Sequence, residues 1–151
     1  MKRFNSFIVT ALAIFAVVAF IGCKNTAGGT PQDQGPGILS VWEYKDTKNK
    51  TAITATIYDN KTATVTVVVE QEVSGQGNVK TTMALNGTIT GADISKAFTF
   101  TATSGKMTAG PNTAEMPKEQ LDQYKNISAK ISDNKMTVTG IMGGAVVLTK
   151  K

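Results

Sequence analysis

The sequence predicts an all-β protein: about eight short antiparallel strands in an up-and-down barrel, with one short helix. Thr is abundant and alternates with Val, Ile, Ala or Phe through much of the chain, and β-branched side chains fit a pleated surface. The alternating segments are short, and turn-forming Asn, Asp and Gly residues separate most of them. Eight such strands close into a barrel, and a two-sheet β-sandwich is the alternative.

Period-two alternation of apolar and polar side chains marks each half-buried strand. Thr62–Val73, for example, places Val65 and Val67 on the face opposite Thr64. By contrast, Thr113–Tyr124 has no such alternation and predicts a short helix with a proline near its start. The predicted strands are Ile38–Lys45, Ala52–Tyr58, Thr62–Val73, Val79–Thr90, Lys96–Thr103, Ile127–Ser132, Met136–Ile141 and Ala145–Thr149.

Turn chemistry supports hairpins between these strands. Asn, Asp and Gly tolerate the positive φ that tight hairpins need. The predicted turns contain Asp59-Asn60-Lys61, Ser74-Gly75-Gln76-Gly77-Asn78, Gly91-Ala92-Asp93, Asp133-Asn134-Lys135 and Gly143-Gly144.

The N-terminal segment has the features of a secretory signal. Lys2 and Arg3 are followed by an uncharged apolar run from Phe7 to Ile21. This run is shorter than the ~20 residues that a membrane-spanning helix needs. A charged start, a short apolar run and a small residue before the cut describe a signal peptide. We therefore expect residues 1–22 to be cleaved.

The cleavage site resembles a lipobox, the site of bacterial lipoprotein processing. Phe20-Ile21-Gly22-Cys23 places a small residue before the only cysteine of the chain, and a thiolate is a strong nucleophile. The resemblance implies cleavage between Gly22 and Cys23, with diacylglycerol and an N-acyl chain such as palmitate on Cys23. Phe20 stands where Leu is usual, as in the relaxed lipoboxes of spirochaete lipoproteins, which this site resembles. An ordinary signal peptide or an uncleaved anchor is the alternative.

Residues 23–37 are expected to form the lipidated N-terminus and a flexible tether before a barrel domain at residues 38–151. Lys24–Gly37 is rich in Gly, Pro and polar residues, and such a linker has a root-mean-square reach of roughly 20 Å. Lys24 follows the cysteine where the enterobacterial sorting pattern has Asp for inner-membrane retention. By that resemblance the protein is anchored in the outer membrane, on either its periplasmic or its surface face.

Composition excludes several kinds of chemistry. The chain has no His and one Cys, which rules out Cys/His zinc sites and nucleophile–His pairs. Loss of residues 1–22 lowers the formal net charge from +5 to +3 and removes Arg3, the only Arg. Nucleic-acid readers usually use Arg. We therefore predict no enzyme activity, no metal, no cofactor besides the covalent lipid, and no nucleic-acid partner.

The strand order, an early tryptophan and a helix near the end resemble the lipocalin-like barrels of small bacterial lipoproteins. The resemblance is incomplete, because Ser40 stands where the Gly-x-Trp signature has Gly. It implies a small hydrophobic ligand, and the candidate lining residues are Trp42, Tyr44, Phe98 and Phe100. The other interpretation is that these aromatic side chains fill the core.

The expected function is therefore that of an anchored, non-catalytic binding or structural module of the outer membrane, such as a surface antigen. Its partners are the membrane, through the lipid, and an envelope or host protein. A lipocalin-like carrier or sensor of a small hydrophobic ligand is the alternative. Glu70 and Glu72 share one strand face, an arrangement that favours a solvated surface over a glycosidase carboxylate pair.

Overall fold

The computed structural model describes residues 36–73 and 77–151. The predicted signal peptide, Cys23 and the tether as far as residue 35 lie outside the described residues. Within the described ranges, no helix has the length and apolarity needed to cross a membrane.

Nine antiparallel strands and one short helix make up the domain. Helix α1 (Lys118–Leu121) continues into a single 3₁₀ turn at Asp122–Tyr124. The strands are β1 (Ile38–Asp46), β2 (Thr51–Tyr58), β3 (Thr62–Val73), β4 (Gly77–Asp93), β5 (Ala97–Ala109), β6 (Asn112–Glu115), β7 (Ile127–Ser132), β8 (Lys135–Thr139) and β9 (Ala145–Lys150).

Eight of these strands close into a barrel. Their order is β4-β3-β2-β1-β9-β8-β7-β5, and β5 pairs with β4 to complete the circle. Strand β6 lies outside this circle and pairs only with the end of β5, from Lys106 to Ala109. The predicted all-β barrel is therefore confirmed, and a two-sheet sandwich is not the fold. Closure leaves the eight barrel strands without the long open edges that favour aggregation.

Alternation along the strands fills the barrel with apolar side chains. In β2, the side chains of Ile53, Ala55 and Ile57 are buried, whereas Thr54 and Thr56 face outward. Each large side chain that is fully buried contributes about 1.5–3 kcal/mol. The largest of them are Ile53, Leu85, Ile89, Met136 and Leu148. The outer surface is consequently rich in Thr, Lys and other polar residues.

In three places the segments differ from the sequence predictions by more than one residue. The predicted helix at Thr113–Tyr124 is helical only from Lys118, because residues 112–115 form β6. Pro117 explains the late start, since a residue that precedes proline avoids the helical region. Strand β8 ends at Thr139 instead of Ile141, where Gly140 adopts a φ of 106°.

The third difference concerns the hairpin of β4 and β5. Both strands extend further than predicted, and their turn lies at residues 94–96 instead of at Gly91-Ala92-Asp93. Between Ala102 and Gly105, a bulge leaves both Thr103 and Ser104 exposed. The inward positions of β5 therefore change from even to odd residue numbers, which ends the simple alternation.

Candidate functional site

The four aromatic candidates lie in two groups inside the barrel. Phe98 and Phe100 are buried on β5 and line a small internal cavity. Trp42 and Tyr44 lie on β1, four strands away around the barrel in either direction, and do not line that cavity. The structure therefore brings Phe98 and Phe100 together at the cavity and leaves the other two aromatic residues apart from it.

The internal cavity is too small for an organic ligand. Its volume is about 20 Å³, and all of the lining side chains are apolar, including Ile53, Met136 and Leu148. A single water needs about this volume together with two to four polar partners. Small-molecule sites usually measure about 300–1,000 Å³. In the part of the chain that the structure describes, the barrel interior is thus a packed core.

The polar atoms of the two aromatic residues on β1 form hydrogen bonds with side chains of the same strand. Trp42 is buried, and its Nε1–H donates a hydrogen bond to Ser40 Oγ at 2.9 Å. The Tyr44 hydroxyl donates to Asp46 Oδ2 at 3.4 Å. Partial burial, and then the nearby Asp46 carboxylate, raise the pKa of Tyr44 above its usual value. Because both polar groups already have partners on the same strand, neither is left pointing into the core for a ligand.

Helix α1 and the segment before it pack against β5 at one end of the barrel. Met116 is buried, and its backbone N–H donates to the carbonyl oxygen of Gly105 at 2.8 Å. A Cβ at Gly105 would lie 2.7 Å from Met116 Sδ and 2.9 Å from Leu85 Cδ2. Glycine at this position therefore allows the segment to pack directly on β5, which covers this end of the core. We call this end the helix end; it also carries the β1–β2 turn at residues 47–50.

The opposite end of the barrel carries the start of β1, which follows the predicted tether in the sequence. We call it the tether rim, and it consists of residues 37–39, 59–61, 93–97, 130–135 and 150–151. Backbone hydrogen bonds of 2.6–3.0 Å link its segments to neighbouring strands and turns in a ring. They run from Asp59 N to Gly37 O, Ile89 N to Lys61 O, Ile131 N to Lys96 O, Lys150 N to Asn134 O and Lys151 N to Val41 O.

The tether rim concentrates the positive charge of the domain. It contains six lysines and three aspartates, whereas the rest of residues 38–151 contains seven lysines and seven acidic residues. Among the described residues, only two rim lysines form ion pairs: Lys96 with Asp93 at 3.2 Å, and Lys151 with Glu43 at 3.0 Å. The other four are Lys61, Lys130, Lys135 and Lys150.

The same rim exposes apolar side chains. Ile38 is 64% exposed and Leu39 is 54% exposed at the start of β1. Among the described residues, Val147 is the only other large hydrophobic residue with comparable exposure, and it lies on the side wall in β9. The rim therefore combines an exposed apolar pair with unpaired cations.

Local hydrogen bonds lower the pKa values of four carboxylates, two of them half-buried and two exposed. A hydrogen bond from Lys151 lowers the pKa of Glu43, and Lys45 lies 3.6 Å from the same carboxylate. Hydrogen bonds from Asn49, Ser95 and Lys125 lower the pKa values of Asp46, Asp93 and Asp122, respectively. These contacts lie in separate turns and hairpins, so they do not assemble an acid–base pair. Within the described ranges, no three His, Cys, Asp or Glu side chains are grouped to hold a metal ion.

The turn residues have structural roles. Asp133 and Asn134 have φ values of 50° and 60°, as the predicted tight hairpin requires. Asn60 Oδ1 accepts hydrogen bonds from the backbone N–H of Thr62 and from its hydroxyl. Glu70 and Glu72 are both exposed on β3, as expected for a solvated face.

No protein-family model matches the chain, and no curated protein matches it.

The tether rim is not apparent in the amino-acid sequence. Its lysines are spread between positions 61 and 151, and no local motif connects them. Their common location follows from the alternation of strand direction, which brings every second turn to the same end. The order of the predicted hairpins indicates which turns share an end of the barrel. The exposure of Ile38 and Leu39, by contrast, is seen only in the structure.

Proposed function

We propose that the protein is a bacterial lipoprotein whose barrel is a non-catalytic binding or structural module, held at the outer membrane by lipid on Cys23. The observation that carries the proposal is the position of the only cysteine. It follows an apolar run and a small residue, and 14 polar or small residues separate it from the start of β1. Acyl chains on this residue would hold the barrel at a bilayer, because two chains anchor stably where one does not.

The barrel itself supports attachment through a separate anchor. Its apolar side chains point inward, and its outward positions are mostly Thr, Lys and other polar residues. Such a surface is suited to water. The lipid on Cys23 would therefore supply the main attachment, and the tether would give the barrel freedom to meet a partner.

A binding or structural role fits the residues better than catalysis or transport does. The chain after residue 22 has neither His nor Arg, and lipidation would consume its only thiol. The carrier alternative requires an internal cavity, whereas the barrel core around Phe98 and Phe100 has only about 20 Å³ of free space. The outer surface is thus the favoured place for a partner, either a host protein or an envelope component.

Metabolic labelling tests the proposal. Cells that produce the native chain or the Cys23→Ser variant are grown with an alkyne-modified fatty acid and then fractionated. The native chain is expected to carry the label and to remain with the outer membrane after a wash at about 0.5 M salt, and the variant to lose both properties. An unlabelled native chain, or equal membrane recovery of the two, would contradict it. Protease treatment of intact cells then distinguishes the faces, because only a surface-exposed barrel is cleaved before lysis.

A further inference from the structure

We propose that the tether rim is a docking surface for an anionic lipid bilayer. In this arrangement Ile38 and Leu39 contact the interfacial region, while the unpaired rim lysines lie against lipid headgroups. The inference rests on the proposed function, since lipid on Cys23 is what brings the barrel to a membrane. It adds an orientation: the rim faces the bilayer and the helix end faces away.

The first support is the apolar pair. Ile38 and Leu39 are two of the three large hydrophobic residues that are most exposed among the described ones. They are also the first residues of β1, where the chain leaves the barrel toward Cys23. The 14 residues Lys24–Gly37 have a root-mean-square reach of roughly 20 Å, which keeps these side chains within a short distance of an anchored bilayer.

The second support is charge complementarity. Most of the net side-chain charge of residues 38–151 lies on the tether rim. Even when Glu43, which pairs with Lys151, is counted with the three rim aspartates, the six rim lysines leave a charge of +2 of the total +3. Lys61, Lys135 and Lys150 lie in the β2–β3 turn, at the β7–β8 turn and at the end of β9, and they make no ion pair among the described residues. A lysine close to an anionic membrane strengthens binding about fivefold. The remaining residues, which include the helix end, have nearly balanced charges and offer no comparable attraction.

The third support is the continuity of the rim. Its segments are connected by the ring of backbone hydrogen bonds, so the lysines and the apolar pair belong to one rigid end of the barrel. A rigid surface can present several weak contacts to a bilayer at once without ordering a loop.

Vesicle binding by a chain that carries no lipid tests this directly. The chain from residue 23 onward is made with Cys23→Ser, and its β-sheet circular dichroism and cooperative melting are checked first. Its partitioning is measured on phosphatidylcholine vesicles with and without about 30 mol % phosphatidylglycerol. We expect binding to the anionic vesicles alone, with a loss of about tenfold or more when the salt is raised to about 0.5 M.

Matched variants locate the binding surface. The pair Lys135→Glu with Lys150→Glu reverses two rim charges, and Lys48→Glu with Lys118→Glu makes the same change in net charge at the helix end. We expect the rim pair to weaken binding by about tenfold or more and the control pair by about twofold or less. Likewise, Leu39→Gln is expected to weaken binding, whereas Val147→Gln on the side wall is not. Equal losses from both ends would overturn the inference, since the attraction would then be a property of net charge.

A fluorescence measurement gives the orientation independently of the charge variants. In the Cys23→Ser background, single cysteines at Ser132→Cys on the rim and Thr47→Cys at the helix end are labelled with an environment-sensitive dye. The expected result is a blue shift on anionic vesicles for the rim label only. A shift at the helix end, a shift at both ends, or binding to an acidic protein without binding to vesicles would overturn it.

The outcomes separate this inference from the proposed function. A native chain without lipid on Cys23 would defeat the lipoprotein proposal, while the vesicle assay would still report whether the rim binds a bilayer. A lipidated native chain whose Cys23→Ser form shows no vesicle binding would defeat only the docking surface.

Discussion

The ring of Phe100 occupies the space beside Gly87 that any larger side chain would need. A Cβ at position 87 would lie closest to the backbone carbonyl oxygen of Thr101 and 2.7 Å from Phe100 Cε2. The two residues belong to the paired strands β4 and β5, next to the bulge that follows Ala102. Glycine in the middle of a strand is usually unfavourable, but here it lets an aromatic side chain fill the centre of the barrel.

Gly87→Ala is therefore expected to lower the free energy of unfolding by about 1–3 kcal/mol, because the extra methyl group overpacks the core. Urea unfolding followed by circular dichroism measures the change. Gly144→Ala is the control, since a Cβ there meets nothing within 4 Å and its φ is ordinary; its effect should be within about 0.5 kcal/mol. Equal stability of the Gly87→Ala and native proteins would show that the Thr101 carbonyl group and the Phe100 ring leave room for a side chain here.

Two neighbouring residues on β9 test which of its side chains point into the barrel. Leu148 is 1% exposed and lines the internal cavity, whereas Val147 is 47% exposed. Leu148→Ala should cost about 2–5 kcal/mol of unfolding free energy, because it enlarges a cavity in a packed core. Val147→Ala should cost less than about 0.5 kcal/mol. If the two substitutions cost the same in urea unfolding, the inward assignment of β9 is wrong.

Local alternation was enough to predict most of the barrel. Each predicted strand corresponds to an observed one, and the bounds of β3 and β7 agree at both ends. This succeeded because a strand buried on one face must alternate, and the closed barrel gives all eight strands the same inside and outside. The Asp133-Asn134 turn was equally readable, since few residues tolerate positive φ.

The second half of β5 and strand β6 could not be predicted from local sequence, because both depend on tertiary contacts. The bulge after Ala102 shifts the inward positions of β5 to Gly105 and Met107, so the simple alternation ends at the bulge although the strand continues to Ala109. Strand β6 is only four residues long and exists through its pairing with the extended β5. The periodicity of the sequence does not indicate such a partner strand.

The candidate site was less predictable than the fold. Aromatic alternation indicates which side chains point inward, but it does not give the volume left between them. Thus Phe98 and Phe100 could be assigned to the barrel interior, whereas the small size of their cavity came from the packing. The tether rim depends on the strand directions and on the exposure of Ile38, which local sequence patterns do not give.

The packed core predicts no saturable binding of a small hydrophobic ligand by the native protein. Titration with a long-chain fatty acid, followed by calorimetry and by Trp42 fluorescence, should give no one-to-one binding. Leu148→Ala is a useful comparison, because a dry apolar cavity made by truncation can admit a small molecule such as benzene. Saturable fatty-acid binding by the native protein would instead support the carrier alternative.

Acid should destabilise the barrel. The pKa values of Glu43, Asp46, Asp93 and Asp122 are lowered in the folded state by hydrogen bonds to their ionised forms. Their contribution to stability is complete above the unfolded-state values near pH 4 and is lost as the pH falls through the lower folded-state values. The melting temperature should therefore drop between about pH 5 and pH 2.

Glu43→Gln provides the control for the acid effect. Removing this carboxylate eliminates one of the lowered pKa values, so the variant should lose less melting temperature over the same pH range than the native protein loses. Thermal melts followed by circular dichroism measure both. A melting temperature that is constant or rises on acidification would show that these hydrogen bonds do not stabilise the fold.

Intact-mass spectrometry of the protein isolated from its native membrane tests the central claim most directly. The account predicts a chain that begins at Cys23 and is heavier than the polypeptide by a diacylglyceryl group and an N-linked acyl chain. A free thiol at Cys23, or a chain that still carries residues 1–22, would contradict it.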